Sequence, residues 1–181
     1  MKIILTFINF LSKLFRSKNK PIKEIPMTDS IQPPQQNTVH PEFITLCAPL
    51  TKISENCVLH AYPDPGPTGL PWTIGWGCTG KDQEGNPITQ NTVWSQDKAD
   101  YELNIRLLHL GTEIDKIVHV PITPAQKAAL TDFAFNCGIN ALATSTLLKL
   151  LNAGDYQEAA NQFQLWVHSH GVVLNGMVIL S

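Results

Sequence analysis

Residues 55–80 read ENCVLHAYPDPGPTGLPWTIGWGCTG, and this stretch decides the fold class. It is rich in Pro and Gly and carries several β-forming residues, which predicts short strands joined by turns, a pattern that includes Trp72–Cys78 and the strand Trp72–Gly75. The segment from Pro41 to Glu55 has apolar residues at helical spacing, and its early proline is one that a first helical turn tolerates. Helical patterns dominate after Ser95. We therefore predict an α+β fold with a small β-rich lobe, a larger helical lobe and an interlobe cleft that could hold a ligand.

Capping signals place the helices of the second half. Ser95 is a good N-cap for a helix over 96–111, and Thr123 with Pro124 begins a helix that stops at Gly138. A short helix is predicted over 145–151. Asp155 then begins a last helix that carries apolar residues as far as Trp166.

The composition excludes several classes of protein. Of the 181 residues, 43% are hydrophobic and 15% are charged, which is enough apolar material for a packed core. No apolar run approaches about 18 residues, so an ordinary transmembrane span is not predicted. The formal net charge of −2 combines a basic segment 1–26 with an acidic remainder. Because phosphate contacts need clustered Lys and Arg, we expect no nucleic-acid partner.

The first forty residues are predicted to lie outside the globular domain. Residues 1–16 alternate apolar and basic or polar side chains at helical spacing, which is typical of an amphipathic helix on an anionic membrane surface. A signal-anchor that later leaves the membrane, a cleaved signal peptide and a helix packed on its own domain remain alternatives. Residues 17–40 are polar and proline-containing, which indicates a flexible linker. The globular domain is therefore expected over 41–181.

The cysteines and histidines carry no metal signature. Cys47, Cys57, Cys78 and Cys137 include no pair at CxxC spacing, so they are expected to be either reduced apolar fillers or partners in one or two disulfides. His168 and His170 would point to different faces of a helix. We expect no metal site.

Two carboxylates flank the predicted strands at a spacing that permits acid–base chemistry. Glu55 ends an apolar helix, where lost hydration should raise its pKa, and Asp64 lies on a Pro-Asp-Pro-Gly turn, where it should stay ionised. Glycoside hydrolysis needs one protonated and one ionised carboxyl group. Thr73 follows nine residues after Asp64. By spacing alone, a solvated helix end and a turn-forming Asp explain the same residues.

A longer series of motifs resembles the phage lysozymes, glycoside hydrolase family 24. The series runs over about residues 42–178. Its members are Glu55, Leu59-His60-Ala61-Tyr62-Pro63-Asp64-Pro65, Pro71-Trp72-Thr73-Ile74-Gly75-Trp76-Gly77, Thr79-Gly80, Pro121-Ile122-Thr123, Gln126, Ala129-Leu130, Phe135-Asn136-Cys137-Gly138, Ser145-Thr146-Leu147-Leu148, Asn152-Ala153-Gly154-Asp155-Tyr156 and Trp166.

The resemblance implies a lysozyme-like fold and hydrolysis of the β-1,4 bond between N-acetylmuramic acid and N-acetylglucosamine in bacterial peptidoglycan. It implies that Glu55 is the general acid, that Asp64 holds or activates the water and that Thr73 helps to place it. It also implies a saccharide groove, no cofactor and no metal. The groove positions are Thr79, Phe135, Thr146 and Gln162, for which ordinary packing or surface polarity is the alternative. Trp76 could stack on a sugar or belong to the core.

The expected biology follows the same resemblance. The protein would be a monomeric endolysin of a phage or prophage that acts in the periplasm of the bacterial host. Residues 1–16 could hold it at the inner membrane before release. A lytic transglycosylase, which cleaves the same bond without water, is a further alternative.

The sequence also departs from the family pattern. Asn56 stands where the family usually has Gly, and Cys78 stands where it usually has His. The printed sequence ends at Ser181, before the Arg-rich helix that supplies a partner to the catalytic Glu in relatives. We therefore expect Glu55 to be less anchored, with a higher pKa than in relatives, and the domain to be less stable. A weakened prophage remnant that only binds peptidoglycan or membrane is the alternative function.

Overall fold

The structure, a computed structural model, describes residues 41–64, 69–163, 166–169 and 172–175, and of the last two segments only the backbone. The helix predicted over 1–16 and the linker over 17–40 lie outside the described residues, as does the end of the chain after residue 175. In the described ranges, no helix is both long enough and apolar enough to cross a membrane.

Helix α1 spans Glu42–Ser54 and buries one apolar face, as its spacing predicts. Phe43, Ile44 and Cys47 on that face are almost fully enclosed. The helix ends because Glu55 takes an extended backbone conformation (φ −109°, ψ 146°), and the N–H of Glu55 donates to the Thr51 carbonyl. The end of α1 therefore fixes the position of Glu55.

Three short strands follow as an antiparallel sheet: β1 (Val58–Pro63), β2 (Trp72–Gly75) and β3 (Cys78–Thr79). β2 is the central strand. The strand predicted over Trp72–Gly75 is confirmed as β2, and the chain then turns at Trp76–Gly77 before β3. Gly75 and Gly77 have φ values of +62° and +80°, a left-handed conformation that glycine adopts at little cost.

The second half is helical, with α2 (Gln96–Ile117), α3 (Pro124–Cys137), α4 (Ile139–Thr144), α5 (Thr146–Asn152) and α6 (Tyr156–Gln162). The predicted caps are confirmed: the Ser95, Thr123 and Asp155 side chains each accept a hydrogen bond from the first helical turn. α2 extends six residues beyond the predicted end at residue 111, because buried Ile114 continues its apolar face. α4 was not predicted from the sequence.

The last predicted helix is too long. α6 ends at Gln162, and Trp166 lies instead on β4 (Trp166–Ser169), which pairs antiparallel with β5 (Val172–Asn175). The residues of this hairpin explain the error, since Val167, Val172 and Val173 are β-branched and favour strands over helices.

The described residues form three apolar clusters. The largest lies among α3, α4, α5 and α6 and includes Leu130, Phe133 and Leu147. A second cluster joins α1, α2 and α3, and a small third cluster lies under the sheet around Ile74 and Trp94. The two-lobed α+β prediction is confirmed, with far more buried apolar surface in the helical lobe.

All four cysteines are free thiols. Cys47 is buried, and the other three are partly buried. This agrees with their interpretation as apolar fillers and not with the disulfide alternative.

Candidate active site

Glu55 occupies the junction between the two lobes, directly after α1 and before β1. Its carboxyl group is half-buried beside the turn that joins β2 to β3: a Cβ atom placed on Gly77 would lie 3.9 Å from Glu55 Oε2. Burial raises the pKa of Glu55 above its ordinary value, and the positive charge of Arg106 opposes part of that rise. The direction agrees with the expectation drawn from its place at the end of an apolar helix.

A second carboxyl group is buried in the helical lobe and is connected to the Glu55 backbone through Thr51. Asp132 of α3 is fully enclosed, and its Oδ1 accepts a 2.9 Å hydrogen bond from the hydroxyl of Thr51, whose carbonyl receives the Glu55 N–H. Asn136 Nδ2 donates to Asp132 Oδ2 at 3.2 Å. Burial raises the pKa of Asp132 to about 7, the hydrogen bond from Thr51 lowers it in part, and the charge of Glu55 raises it. Burial therefore favours the protonated form of Asp132 far more than it is favoured in an exposed aspartate.

The sheet supplies the second carboxylate. Asp64 directly follows β1, and its N–H donates to the Pro71 carbonyl at 3.2 Å, so its backbone is fixed beside the start of β2. Its side chain is half-buried and not fully exposed as the turn motif suggests. The turn residues 65–68 lie outside the described ranges.

Thr73 lies on the central strand between two cross-strand neighbours. It pairs with Tyr62 of β1 on one side and with Thr79 of β3 on the other. Only 9% of Thr73 is exposed, whereas Thr79 is open to solvent. Strand register thus places Thr73 beside Thr79, and Asp64 directly follows the strand that pairs with Thr73 on its other side.

Sequence reasoning missed Arg106, although it touches both lobes. Its Nη1 donates to the carbonyl of Gly77 at 3.1 Å, and its guanidinium carbon lies 4.3 Å from the centre of the Phe135 ring. A signal was available, because Arg106 is the only arginine after residue 16 and stands among buried leucines of α2. Phe135, a predicted groove residue, is half-buried and forms part of this contact.

Trp76 joins α1 and α2 to the turn. Its indole N–H donates to Asp100 Oδ1 at 2.7 Å, and Lys52 Nζ lies 5.2 Å from its ring centre and 2.7 Å from Asp100 Oδ2. Burial alone would raise the pKa of Asp100, but hydrogen bonds from Lys52, Trp76 and Gln96 outweigh it and hold that pKa below its ordinary value. Because Trp76 also packs against the second and third apolar clusters, its contacts favour the core interpretation over sugar stacking.

The remaining two predicted groove residues belong to helices of the helical lobe. Thr146 is exposed at the first position of α5, and Gln162 is half-buried at the last position of α6. Their assignment to a groove stays a prediction. Among the described side chains, no group of three His, Cys, Asp or Glu residues is arranged to hold a metal ion.

Comparison with known proteins agrees with this architecture. The family model for phage lysozyme matches residues 52–179. The endolysin of Bacillus phage B103 is 41% identical over 112 residues, which cover 62% of this chain and 41% of that protein. The SAR-endolysin of Escherichia phage Mu is 51% identical over 65 residues, which cover 36% of this chain and 38% of that protein.

The chain thus matches about two fifths of the length of these two curated relatives. The backbone superposes on a crystal structure of a P22 lysozyme variant with a TM-score of 0.59 and 34% identity, covering 71% of this chain and 83% of that one. Because the family model covers most of the sequence and the two-lobed fold is shared with a solved lysozyme, the chain belongs to the phage lysozyme family.

Proposed function

We propose that this protein is an N-acetylmuramidase that hydrolyses the β-1,4 bond between N-acetylmuramic acid and N-acetylglucosamine in bacterial peptidoglycan. Its biological role would be that of an endolysin that lyses the host cell. Family membership supports this proposal, as does the similarity to the endolysin of Bacillus phage B103 and to P22 lysozyme.

The chemistry assigns separate tasks to the two carboxyl groups. Glu55 gives its proton to the glycosidic oxygen as the bond from that oxygen to the anomeric carbon breaks. A water molecule held by Asp64 and Thr73 attacks the anomeric carbon from the opposite face, and Asp64 accepts the proton that the water loses. A carboxyl separation of roughly 6.5–9.5 Å leaves room for this water and inverts the anomeric configuration. After product release, proton exchange with solvent restores both groups.

The observation that carries the proposal is the environment of Glu55. A general acid must hold its proton at the pH where the enzyme works, and burial at the end of α1 shifts its pKa in that direction. Asp64 differs in being attached to a small sheet, outside the helical core. Two carboxyl groups in unlike surroundings are the arrangement that glycoside hydrolysis requires.

The proposal is tested with the protein of this exact sequence on outer-membrane-permeabilised Gram-negative cells. The parent should reduce turbidity, and Glu55→Gln should not, while both keep the same circular dichroism spectrum. Glu113→Gln is a matched control, because it removes a carboxylate on an exposed part of α2. Lysis by Glu55→Gln at the parent rate would overturn the assignment of the general acid.

Product analysis separates the alternatives. Mass spectrometry of released muropeptides should find reducing N-acetylmuramic acid ends, because water is the acceptor. Anhydro-sugar ends would instead identify a lytic transglycosylase. A folded parent as inactive as Glu55→Gln would indicate a remnant that binds without cleaving.

We further propose that residues 41–181 are the catalytic domain, that it acts as a monomer in the host periplasm, and that residues 1–16 bind the inner-membrane surface beforehand. The amphipathic, basic pattern of residues 1–16 supports the membrane step. Fractionation of cells producing a fluorescent fusion tests it. Recovery wholly in the soluble fraction, with the first residues intact, would exclude membrane association, and sedimentation tests the monomer.

A further inference from the structure

Arg106 has contacts that a solvent-exposed surface arginine does not make. Its guanidinium group is half-buried and donates to the main-chain carbonyl of Gly77 in the β2–β3 turn. Its planar group also lies against the Phe135 ring of α3, at 4.3 Å. Arg106 thus joins one residue of the small lobe to one residue of the large lobe.

No carboxylate among the described residues forms an ion pair with Arg106. Across the described ranges, no Asp or Glu oxygen lies within 4.0 Å of its nitrogens, whereas Lys52, Lys98 and Lys127 each form such pairs. A half-buried cation without a close counter-ion acts on the charges that it faces, because partial burial reduces screening by water.

Glu55 is a carboxyl group on which the charge of Arg106 acts. Gly77 connects them, since its carbonyl receives the Arg106 N–H and a Cβ atom placed on it would lie 3.9 Å from Glu55 Oε2. The electrostatic attraction between the two side chains opposes the effect of burial on Glu55. Among the other groups near this pair, Asp132 of α3 is influenced by the charge of Glu55, and Cys78 of β3 is influenced by the charge of Arg106.

We propose that Arg106 is a positioning residue that holds the β2–β3 turn against α3 and orients the Glu55 carboxyl group by electrostatic attraction. The inference rests on the proposed function in one respect only: it assumes that Glu55 is the acid whose orientation matters. Arg106 itself touches neither substrate nor the reacting atoms in this role.

The direct test is an NMR titration of the Glu55 carboxyl carbon in the full chain, assigned with Glu55→Gln. Arg106→Gln removes the charge, and Arg106→Met does so while keeping an apolar stem on Phe135. Both should move the Glu55 midpoint to higher pH by about 0.5–1 pH unit, the lower end of what a nearby opposite charge does. Arg106→Lys should restore most of the parent midpoint. Lys149→Gln, an equal loss of charge at an exposed position on α5, should leave it unchanged.

A purely structural Arg106 predicts a different result. Its removal could lower the melting temperature and the activity, yet the Glu55 midpoint would stay at the parent value in every folded variant, and that result would overturn the proposal. If neither Arg106→Gln nor Arg106→Met folds, the salt dependence of the Glu55 midpoint in the parent still tests the proposal. Raising NaCl from 0.05 to 0.5 M should raise the Glu55 midpoint as the attraction is screened, and a midpoint that is constant with salt overturns the proposal.

The two proposals fail in separate ways. The titration does not depend on activity. A parent that releases no reducing sugar ends would therefore overturn the muramidase proposal, while the Glu55 midpoints of the parent and the Arg106 variants could still be compared. If the parent is active but its Glu55 midpoint changes neither on substitution of Arg106 nor with salt concentration, only the Arg106 proposal is overturned. In an active parent, the alkaline limb of the pH–rate profile should move to higher pH in the neutral variants, because the general acid then keeps its proton longer.

Discussion

Glu55 and Asp64 lie at the ends of two different kinds of element, and their surroundings differ accordingly. The helical side, meaning Glu55, Arg106 and Asp132, is backed by two large apolar clusters. The sheet side, meaning Asp64, Thr73 and Thr79, belongs to three short strands with a small core. The contrast indicates that burial sets protonation on the helical side, whereas strand register sets geometry on the sheet side. Substitutions on the two sides should therefore fail differently.

The largest effect is expected on the sheet side. Asp64→Asn should lower the rate of reducing-end release from purified peptidoglycan by about 10³-fold, since an amide cannot take the proton of the attacking water. The melting temperature should change by no more than about 2 °C, because the side chain is half-exposed and outside the main core.

Glu113→Gln again serves as the control and should retain full activity. An Asp64→Asn protein that keeps more than a tenth of the parent rate would remove Asp64 from the mechanism. An equal loss of rate and of folding would mean that the two sides do not differ as proposed.

The next effect concerns stability on the helical side. The pKa of Asp132 in the folded state is about 7, above its ordinary value of 3.8. Between these pH values the folded state therefore holds a proton that the unfolded state has lost. This stabilisation is complete below about pH 4 and is lost as the pH rises through 7, by up to about 4 kcal/mol.

Asp132→Asn removes this titration. It should be more stable than the parent at pH 8 by about 2 kcal/mol, which is less than the full amount because the buried amide must also find hydrogen-bond partners. Urea unfolding at pH 5, 6, 7 and 8 measures the slope. A parent and a variant with identical slopes would show that Asp132 ionises freely in the folded protein.

Loss of the hydrogen bond from Trp76 to Asp100, which joins the β2–β3 turn to α2, should have a smaller effect. Trp76→Phe removes the indole N–H that donates to Asp100 at 2.7 Å, while Lys52 and Gln96 still bind that carboxylate. We expect a loss of about 1–1.5 kcal/mol in the free energy of unfolding, the usual range for one hydrogen bond with its acceptor still satisfied. Tyr101→Phe, on an exposed part of α2, is the control for losing one polar atom. A Trp76→Phe protein as stable as the Tyr101→Phe control would contradict the importance of this contact.

Local chemistry made much of the fold predictable. Ser95, Thr123 and Asp155 were identifiable as caps because a cap acts within one helical turn, and each forms the expected bond. The hairpin after α6 was missed because apolar spacing alone does not separate a short helix from a strand, and the valines around Trp166 decide for the strand.

The site was less predictable, because its contacts are distant in sequence. Glu55 could be found from its helix end and from the family motif, but Arg106 meets Gly77 across 29 residues, and Thr51 meets Asp132 across 81. The hydrophobic periodicity of the sequence does not predict such contacts. A carboxylate in the apolar run of α3 was nevertheless a visible signal, since a buried Asp needs a partner or a proton.

The smallest effect tests whether substrate contacts extend to the start of α5 in the helical lobe. Thr146→Ala should raise KM for soluble peptidoglycan fragments about two- to threefold with kcat unchanged, the size expected when one exposed hydroxyl contact is lost from a groove. The fold should be unaffected, because Ser145 and not Thr146 caps α5, with its Oγ accepting from the Leu148 N–H at 3.0 Å. Thr144→Ala is the matched control, since that exposed hydroxyl bonds within its own helix. Equal KM values for the two variants would limit the substrate-binding surface to the sheet side and the residues around Glu55.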